Sequence, residues 1–180
     1  ALYAAGVPPR RILELGREVR WFQDVVGKIA SVKNAFWDIA RRTFPRRGDR
    51  PVRAGFLSNA ALGEWVMAVS GCRSLDELKL PFAAVATDVR RGERVLLCAA
   101  AYAERLRSAP WLTPSVPTRV LTPESLGLAV RASAAIPSVF EVIETDGLAL
   151  VDGGFVEQVP VAACRALGAE VVVGVSLGIV

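Results

Sequence analysis

An aspartate followed by two glycines is the feature of this sequence best suited to chemistry. Asp152 ends the apolar run at residues 148–151 and precedes Gly153 and Gly154. A strand end followed by two glycines lets the backbone turn sharply and lets another segment approach closely. A carboxylate held there could accept a proton from a hydroxyl nucleophile. Taken alone, the same triplet is more typical of a turn in which the aspartate caps nearby N–H groups.

The absence of histidine narrows the chemistry open to Asp152. None of the 180 residues is histidine, which excludes from the chain a Ser-His-Asp triad, a Cys-His pair and histidine-bound zinc. The three cysteines are scattered and lack the Cys-x-x-Cys spacing of a metal or redox site: Cys72, Cys98 and Cys164. We therefore expect no metal, no organic cofactor and no disulfide framework. Unpaired cysteines favour a reducing compartment, and we expect a cytoplasmic location.

Three segments carry distinctive patterns in a fixed order. Residues 81–88 end in Ala-Thr-Asp, residues 129–140 contain Arg-Ala-Ser-Ala-Ala-Ile-Pro, and residues 150–154 contain the Asp-Gly-Gly triplet. Together they resemble the motifs of the patatin-like phospholipase family. Residues 1–6 resemble the helix that follows the serine elbow of that family. The resemblance covers nearly the whole chain and is strongest over residues 81–178.

This resemblance implies both a fold and an activity. The fold would be α/β, a patatin-like three-layer sandwich with a mixed central sheet, forming one partial, N-terminally truncated domain over residues 1–180. The activity would be that of a lipid acyl hydrolase, a serine esterase or phospholipase with a Ser-Asp dyad. Asp152 would be its catalytic carboxylate, and Gly153 and Gly154 would support it. The substrate would be a phospholipid or another acyl ester.

Two parts of the family's machinery are not found in residues 1–130. They are the glycine-rich loop that forms the oxyanion hole and the Gly-x-Ser-x-Gly elbow that presents the serine. We therefore expect a fragment that carries the aspartate and is inactive alone. A literal match, Gly-Val-Ser-Leu-Gly at residues 174–178, surrounds Ser176. An elbow needs a helix after the serine, so we expect this match to be a late core strand running into a loop.

Three other polar residues in the motif segments have expected structural roles. We expect Asp88 to cap a turn after its strand rather than to act as a second acid. We expect the hydroxyl of Ser133 to bond the backbone at the end of a helix. For Arg131, pairing with a carboxylate or phosphate and simple solvation on a helix surface remain equally open.

A cluster of arginines suggests a second interpretation of the chain. The favoured explanation of this cluster is a solvated surface loop, and the alternative is contact with anionic headgroups at a membrane surface, where each charge adds about 1 kcal/mol. No motif or aromatic platform for nucleic acid accompanies it. The alternative function is thus a non-catalytic module that binds acyl lipids or a membrane surface peripherally. The cluster consists of Arg41, Arg42, Arg46, Arg47, Arg50 and Arg53.

The elements that must position Asp152 follow from hydrophobic periodicity. No apolar run approaches the roughly 18 residues of a membrane-spanning helix, and the N-terminus lacks the pattern of a secretory signal. A hairpin is predicted around the Asp-Gly turn at residues 146–147, and strands at residues 82–87, 94–98 and 170–175. Helices are predicted at residues 8–22, 29–42, 59–70, 99–107, 123–132 and 161–167, with a short one after the capping-box pattern at residues 74–77.

Overall fold

One mixed sheet of five strands forms the centre of the molecule, in the order β3-β2-β1-β5-β4. The computed structural model describes residues 1–19, 55, 57–109 and 116–176. Strands β2 and β3 pair in parallel, whereas the other three neighbouring pairs are antiparallel. The strands are β1 (Ala83–Asp88), β2 (Glu93–Cys98), β3 (Thr118–Leu121), β4 (Ile143–Thr145) and β5 (Leu148–Asp152).

Helices cover both faces of this sheet. On one face α2 (Ala60–Ser70) and α4 (Leu126–Ser133) pack against the sheet in a core that includes Val66 and Ala129. On the other face α3 (Ala100–Arg107) and α5 (Val161–Ala166) pack in a second core. A further helix, α1 (Pro9–Glu18), lies near the N-terminus. The arrangement confirms the predicted three-layer α/β sandwich with a mixed sheet.

The alternation of side chains along β1 explains why this strand lies at the centre of the sandwich. Ala84 and Ala86 belong to the core beneath α2 and α4, while Val85 belongs to the core beneath α3 and α5. All three are buried. A strand covered on both faces reads as a continuous apolar run, so the sequence predicts it directly.

The turn between β4 and β5 has the predicted hairpin geometry. Asp146 and Gly147 both adopt positive φ angles, 48° and 71°. A two-residue turn of this kind matches the right-handed twist of the flanking strands. It fixes the register in which Ile143 pairs with Leu150, and so determines where β5 ends.

Two segments expected to be helical, at residues 1–6 and after residues 74–77, form turns in the structure. Residues 2–6 form a hydrogen-bonded turn and not a helix, because Gly6 has φ 93° and Pro8 follows. Residues 74–77 also form a turn. Glu77 accepts the N–H of Arg73 at 2.8 Å, as in a capping box, but the chain then extends so that Lys79 and Leu80 can bond a carbonyl in the N-terminal turn.

The predicted strand at residues 170–175 is wrong. These residues adopt no regular structure, and Val171, Val173 and Val175 are 83%, 83% and 74% exposed. Within the described part of the chain no strand pairs with this segment, so its valines do not enter the core.

One strand was not predicted, and two predicted features cannot be compared with the structure. Strand β3 was not predicted. The predicted helix at residues 29–42 and the arginine cluster at residues 41–53 lie outside the described residues. None of the described helices is long and apolar enough to cross a membrane.

Candidate active site

The main chain of Asp152 is bonded on both sides by the other two motif segments. Its N–H donates to the carbonyl of Ala135, just after α4, at 3.0 Å. Its carbonyl accepts a bond of 3.0 Å from the hydroxyl of Thr87 in β1. Asp152 also lies opposite Ala86 in the β1–β5 ladder. The three segments singled out in the sequence therefore meet at this one residue.

The carboxylate of Asp152 is oriented by the turn that follows it. Its Oδ1 accepts the N–H of Gly154 at 2.7 Å, so the aspartate caps a single 3-10 turn at Gly153–Phe155. The other oxygen, Oδ2, receives no hydrogen bond from the described residues. The capping role expected of an ordinary turn is thus present, and it leaves one carboxylate oxygen available to accept a proton.

The two glycines after Asp152 have different structural roles. A Cβ atom on Gly153 would lie 2.5 Å from the carbonyl oxygen of Val85 in β1, closer than real Cβ contacts come. Gly153 therefore permits the turn to pass directly against β1. A Cβ on Gly154 would meet only Oδ1 of Asp152, at 3.0 Å. The predicted close approach of another segment is confirmed at Gly153.

Asp152 lines a cavity of about 410 Å³, a size typical of pockets that bind small organic molecules. Apolar groups form most of its wall, which suits a hydrocarbon chain, and a few polar groups provide directional contacts. The apolar lining comprises Ala1, Phe82, Ala83, Ala84, Val85, Val130, Ala134 and Pro160. The remaining lining residues are Ser133, Gly153, Gly154, Glu157 and Gln158.

A second carboxylate of the cavity is already paired. Oε2 of Glu157 lies 2.7 Å from Nη1 of Arg94. Arg94 also donates from Nε and Nη2 to the hydroxyl of Thr118, at 3.0 and 2.7 Å. The side chain of Arg94 is buried, so this ion pair is shielded from solvent and breaking it would leave an uncompensated charge. Sequence reasoning did not identify Glu157, since its partner is 63 residues away.

Asp88 is the last residue of β1, whereas the cavity lies beside the first residues of that strand. Asp88 caps a turn, as predicted. Its Oδ1 accepts the N–H groups of Ala149 and Arg90 at 3.0 and 3.2 Å, and Oδ2 pairs with the guanidinium of Arg91 at 3.0 Å. Burial disfavours the charged carboxylate, but these contacts outweigh burial and hold the pKa of Asp88 below its ordinary value. Asp88 does not line the cavity.

The two serines considered from the sequence lie in different environments. Ser133 lines the cavity, and its hydroxyl makes no hydrogen bond to the described residues, so the expected bond to the backbone is not formed. Ser176 is exposed and does not line the cavity. The residues before it adopt no regular structure, so no strand leads into the Gly-Val-Ser match. Within the described residues, no group of three or more Cys, Asp or Glu side chains is placed to hold a metal ion.

Comparison with known proteins agrees with this geometry. The patatin-like phospholipase family model matches residues 1–165. Uncharacterized NTE family proteins of Mycobacterium bovis and of two strains of Mycobacterium tuberculosis are each 30% identical to the chain over 146 residues. The match covers 79% of this chain and 34% of each relative, so it spans about a third of their length. The chain belongs to the patatin-like phospholipase family.

Proposed function

We propose that Asp152 is the proton acceptor of a Ser-Asp dyad in a lipid acyl hydrolase. The nucleophilic serine would be supplied by polypeptide joined to Ala1, completing the single domain to which residues 1–180 contribute. The observation that carries this proposal is that Ala1 and Asp152 line the same cavity. A residue shortly before Ala1 in a longer polypeptide would enter the cavity beside the carboxylate.

The contacts of Asp152 suit the role of a base. Gly154 holds Oδ1, and Oδ2 accepts the serine proton as the serine oxygen attacks the acyl carbonyl. The protonated carboxyl then donates to the departing alcohol, leaving an acyl-serine. Water attacks the acyl-serine and gives its proton to Asp152, and the carboxyl returns this proton to the serine oxygen as the fatty acid leaves. The carboxylate ends as it began.

The lining of the cavity favours an acyl ester as substrate, either a phospholipid or another lipid ester. Phe82, Val85 and Val130 offer apolar surface to a fatty-acyl chain. A substrate of this kind partitions into membranes, so we propose that the complete protein acts at a membrane surface as a peripheral protein.

The chain by itself is proposed to be inactive. Ser133 is in the cavity, but it is the last residue of α4 and not part of a strand-to-helix turn. An elbow serine has a helix N-terminus behind it, whose N–H groups stabilise the oxyanion. At the C-terminal end of a helix the free groups are carbonyls, which would repel that charge.

A fluorophosphonate probe tests the proposal directly. Purified 180-residue chain is treated with the probe, and its intact mass is measured, followed by peptide mapping. We expect no adduct, because the chain holds the base without the nucleophile. An adduct on Ser133 or Ser176 would show that the chain forms a serine site of its own and would overturn the proposal.

The same probe applied to the full-length gene product tests whether the missing serine lies before Ala1. There we expect one labelled serine upstream of Ala1, and Asp152→Asn should lower the rate of ester hydrolysis by roughly 10³-fold or more. Asp146→Asn is the matched control, since it makes the same change at an exposed turn where an asparagine tolerates the positive φ. Equal activity of the Asp152→Asn and Asp146→Asn proteins would exclude Asp152 as the base.

A further inference from the structure

The last turn of α4 is completed by a side chain from another part of the chain. Carbonyls in the last turn of a helix lack partners within the helix. The carbonyl of Arg131 accepts the N–H of Ala134 at 3.3 Å and the side-chain amide of Asn59 at 2.8 Å. Asn59 immediately precedes α2 and is completely buried, so its amide has no competing contact with water.

The side chain of Arg131 returns to the same asparagine. Nε of Arg131 donates to Oδ1 of Asn59 at 3.2 Å, which satisfies both ends of the buried amide. A guanidinium nitrogen of Arg131 also lies 3.6 Å from the carboxylate of Glu141, and the hydroxyl of Ser58 donates to that carboxylate at 2.9 Å. Of the two roles left open for Arg131 by the sequence, pairing with a carboxylate is the one observed.

Close packing leaves this arginine little freedom. A Cβ atom on Gly63 of α2 would lie 2.9 Å from Cδ of Arg131. The main chain adds two further bonds, from the N–H of Leu57 to Val139 and from the N–H of Glu141 to Leu57, at 3.0 and 2.9 Å. The segment before α2 is therefore hydrogen-bonded to residues 131–141 near both ends of that stretch.

Residues 131–141 include Ala135, the residue that is hydrogen-bonded to Asp152. Ala135 lies four positions after Arg131, and its carbonyl accepts the N–H of Asp152. Between them, Ser133 and Ala134 line the cavity. Asn59 is thus connected to Asp152 by the hydrogen bonds of Arg131 and of Ala135 and by the short stretch of main chain that joins these two residues.

We propose that Asn59 and Arg131 are positioning residues that fix the end of α4 and, through the carbonyl of Ala135, hold Asp152 in place. Neither residue lines the cavity, so neither touches a substrate there. The structural part of this inference stands independently, whereas its consequence for catalysis rests on the proposed function of Asp152.

Amide hydrogen exchange measured by NMR on the 180-residue chain tests the structural part. Asn59→Ala removes both bonds of the amide, and we expect the N–H of Asp152 to exchange about tenfold faster relative to that of Ala149. Ala149 lies near the other end of the same strand, and its N–H donates to the carboxylate of Asp88 in β1. Its exchange therefore reports general loosening of the sheet. The resonance of the Gly154 N–H should shift as well, because that group bonds the carboxylate.

Two further variants separate the contributions and guard against misfolding. Asn59→Asp keeps the acceptor for Arg131 Nε but loses the donor to its carbonyl, so an intermediate ratio is expected. Arg131→Lys keeps the positive charge near Glu141 without the Nε–H, and it should fold even where Asn59→Ala does not. Arg119→Ala, the matched control, breaks the ion pair between Arg119 of β3 and Glu93 of β2 and should leave the ratio unchanged.

The outcomes distinguish this inference from the proposed function. An Asp152-to-Ala149 exchange ratio that stays constant in the Asn59 and Arg131 variants, or that changes equally in Arg119→Ala, would overturn it. In the full-length gene product, Arg131→Lys should lower kcat while leaving KM unchanged. A product without esterase activity would refute the proposed function, and the exchange ratio would still decide whether Asn59 and Arg131 hold Asp152.

Discussion

The hydroxyl of Thr87 donates a hydrogen bond of 3.0 Å to the main-chain carbonyl of Asp152. Thr87 is buried at 5% exposure, and the bond joins the last residue of β5 to the neighbouring strand. The carbonyl is at the point where β5 ends and the 3-10 turn begins, so its partner is a side chain. The Ala-Thr-Asp segment therefore contributes to the candidate site through its threonine.

Replacing Thr87 by valine tests the value of this bond. Valine has nearly the same shape but no donor, which leaves the carbonyl of Asp152 without its partner. We expect the free energy of unfolding to fall by about 1–3 kcal/mol, measured by urea denaturation. Thr87→Ser keeps the donor and loses one methyl group, at a cost of about 0.8 kcal/mol. A Thr87→Val chain as stable as the wild type would mean that the hydroxyl contributes nothing.

Alanine at Gly153 and at Gly154 should have unequal effects. The new methyl at Gly153 would collide with the main chain of Val85, which cannot move without distorting β1. We expect Gly153→Ala to lower the free energy of unfolding by about 1–3 kcal/mol or more. Gly154→Ala would meet only the carboxylate oxygen of Asp152, a side-chain atom, and should cost less. Thermal unfolding of both variants measures the difference, and the reverse order of stability would contradict the assignment.

Much of the fold could be predicted because local sequence and tertiary context agree. The continuous apolar run of β1 and the Asp-Gly turn before β5 each specify one geometry. The motif segments that contain Thr87, Ala135 and Asp152 carry the family resemblance together, and the structure joins them by two hydrogen bonds. Gly153 follows the same logic, since only a residue without a side chain fits against β1 at that position.

The features that were missed depend on partners distant in sequence. Strand β3 has only four residues, and pairing with β2 makes it a strand. The ion pair of Arg94 and Glu157 spans 63 residues, and the contact of Asn59 with Arg131 spans 72. No periodicity in a local window encodes such pairs. The run at residues 170–175 misled the prediction for the opposite reason, because valine content predicts a strand whether or not a partner strand is present.

Stability should depend on pH through Asp88. The pKa of this carboxyl is lower in the folded chain than its ordinary value of about 4. Its charged form therefore stabilises the fold at neutral pH, and the contribution disappears as pH falls through the lowered pKa. Asp88→Asn should reduce the urea midpoint near pH 7, and the difference from wild type should narrow as pH falls below about 4. Asp146→Asn, at an exposed turn, serves as the control.

A difference between Asp88→Asn and wild type that stays constant from about pH 7 to about pH 3 would contradict this assignment. It would mean that the buried carboxyl is equally protonated in the folded and unfolded chains. The contacts with Ala149, Arg90 and Arg91 would then contribute through geometry alone.

The exposed valines at residues 171–175 should make the 180-residue chain self-associate. Val171, Val173 and Val175 are exposed apolar side chains, and exposed apolar surface favours association with another molecule. We expect light scattering to show a mass that rises with concentration, and Val173→Lys to reduce it because a charge replaces one of the exposed apolar side chains. Val89→Lys adds the same charge at another exposed valine and should not. A wild-type chain that stays monomeric at every concentration would show that these valines do not drive association.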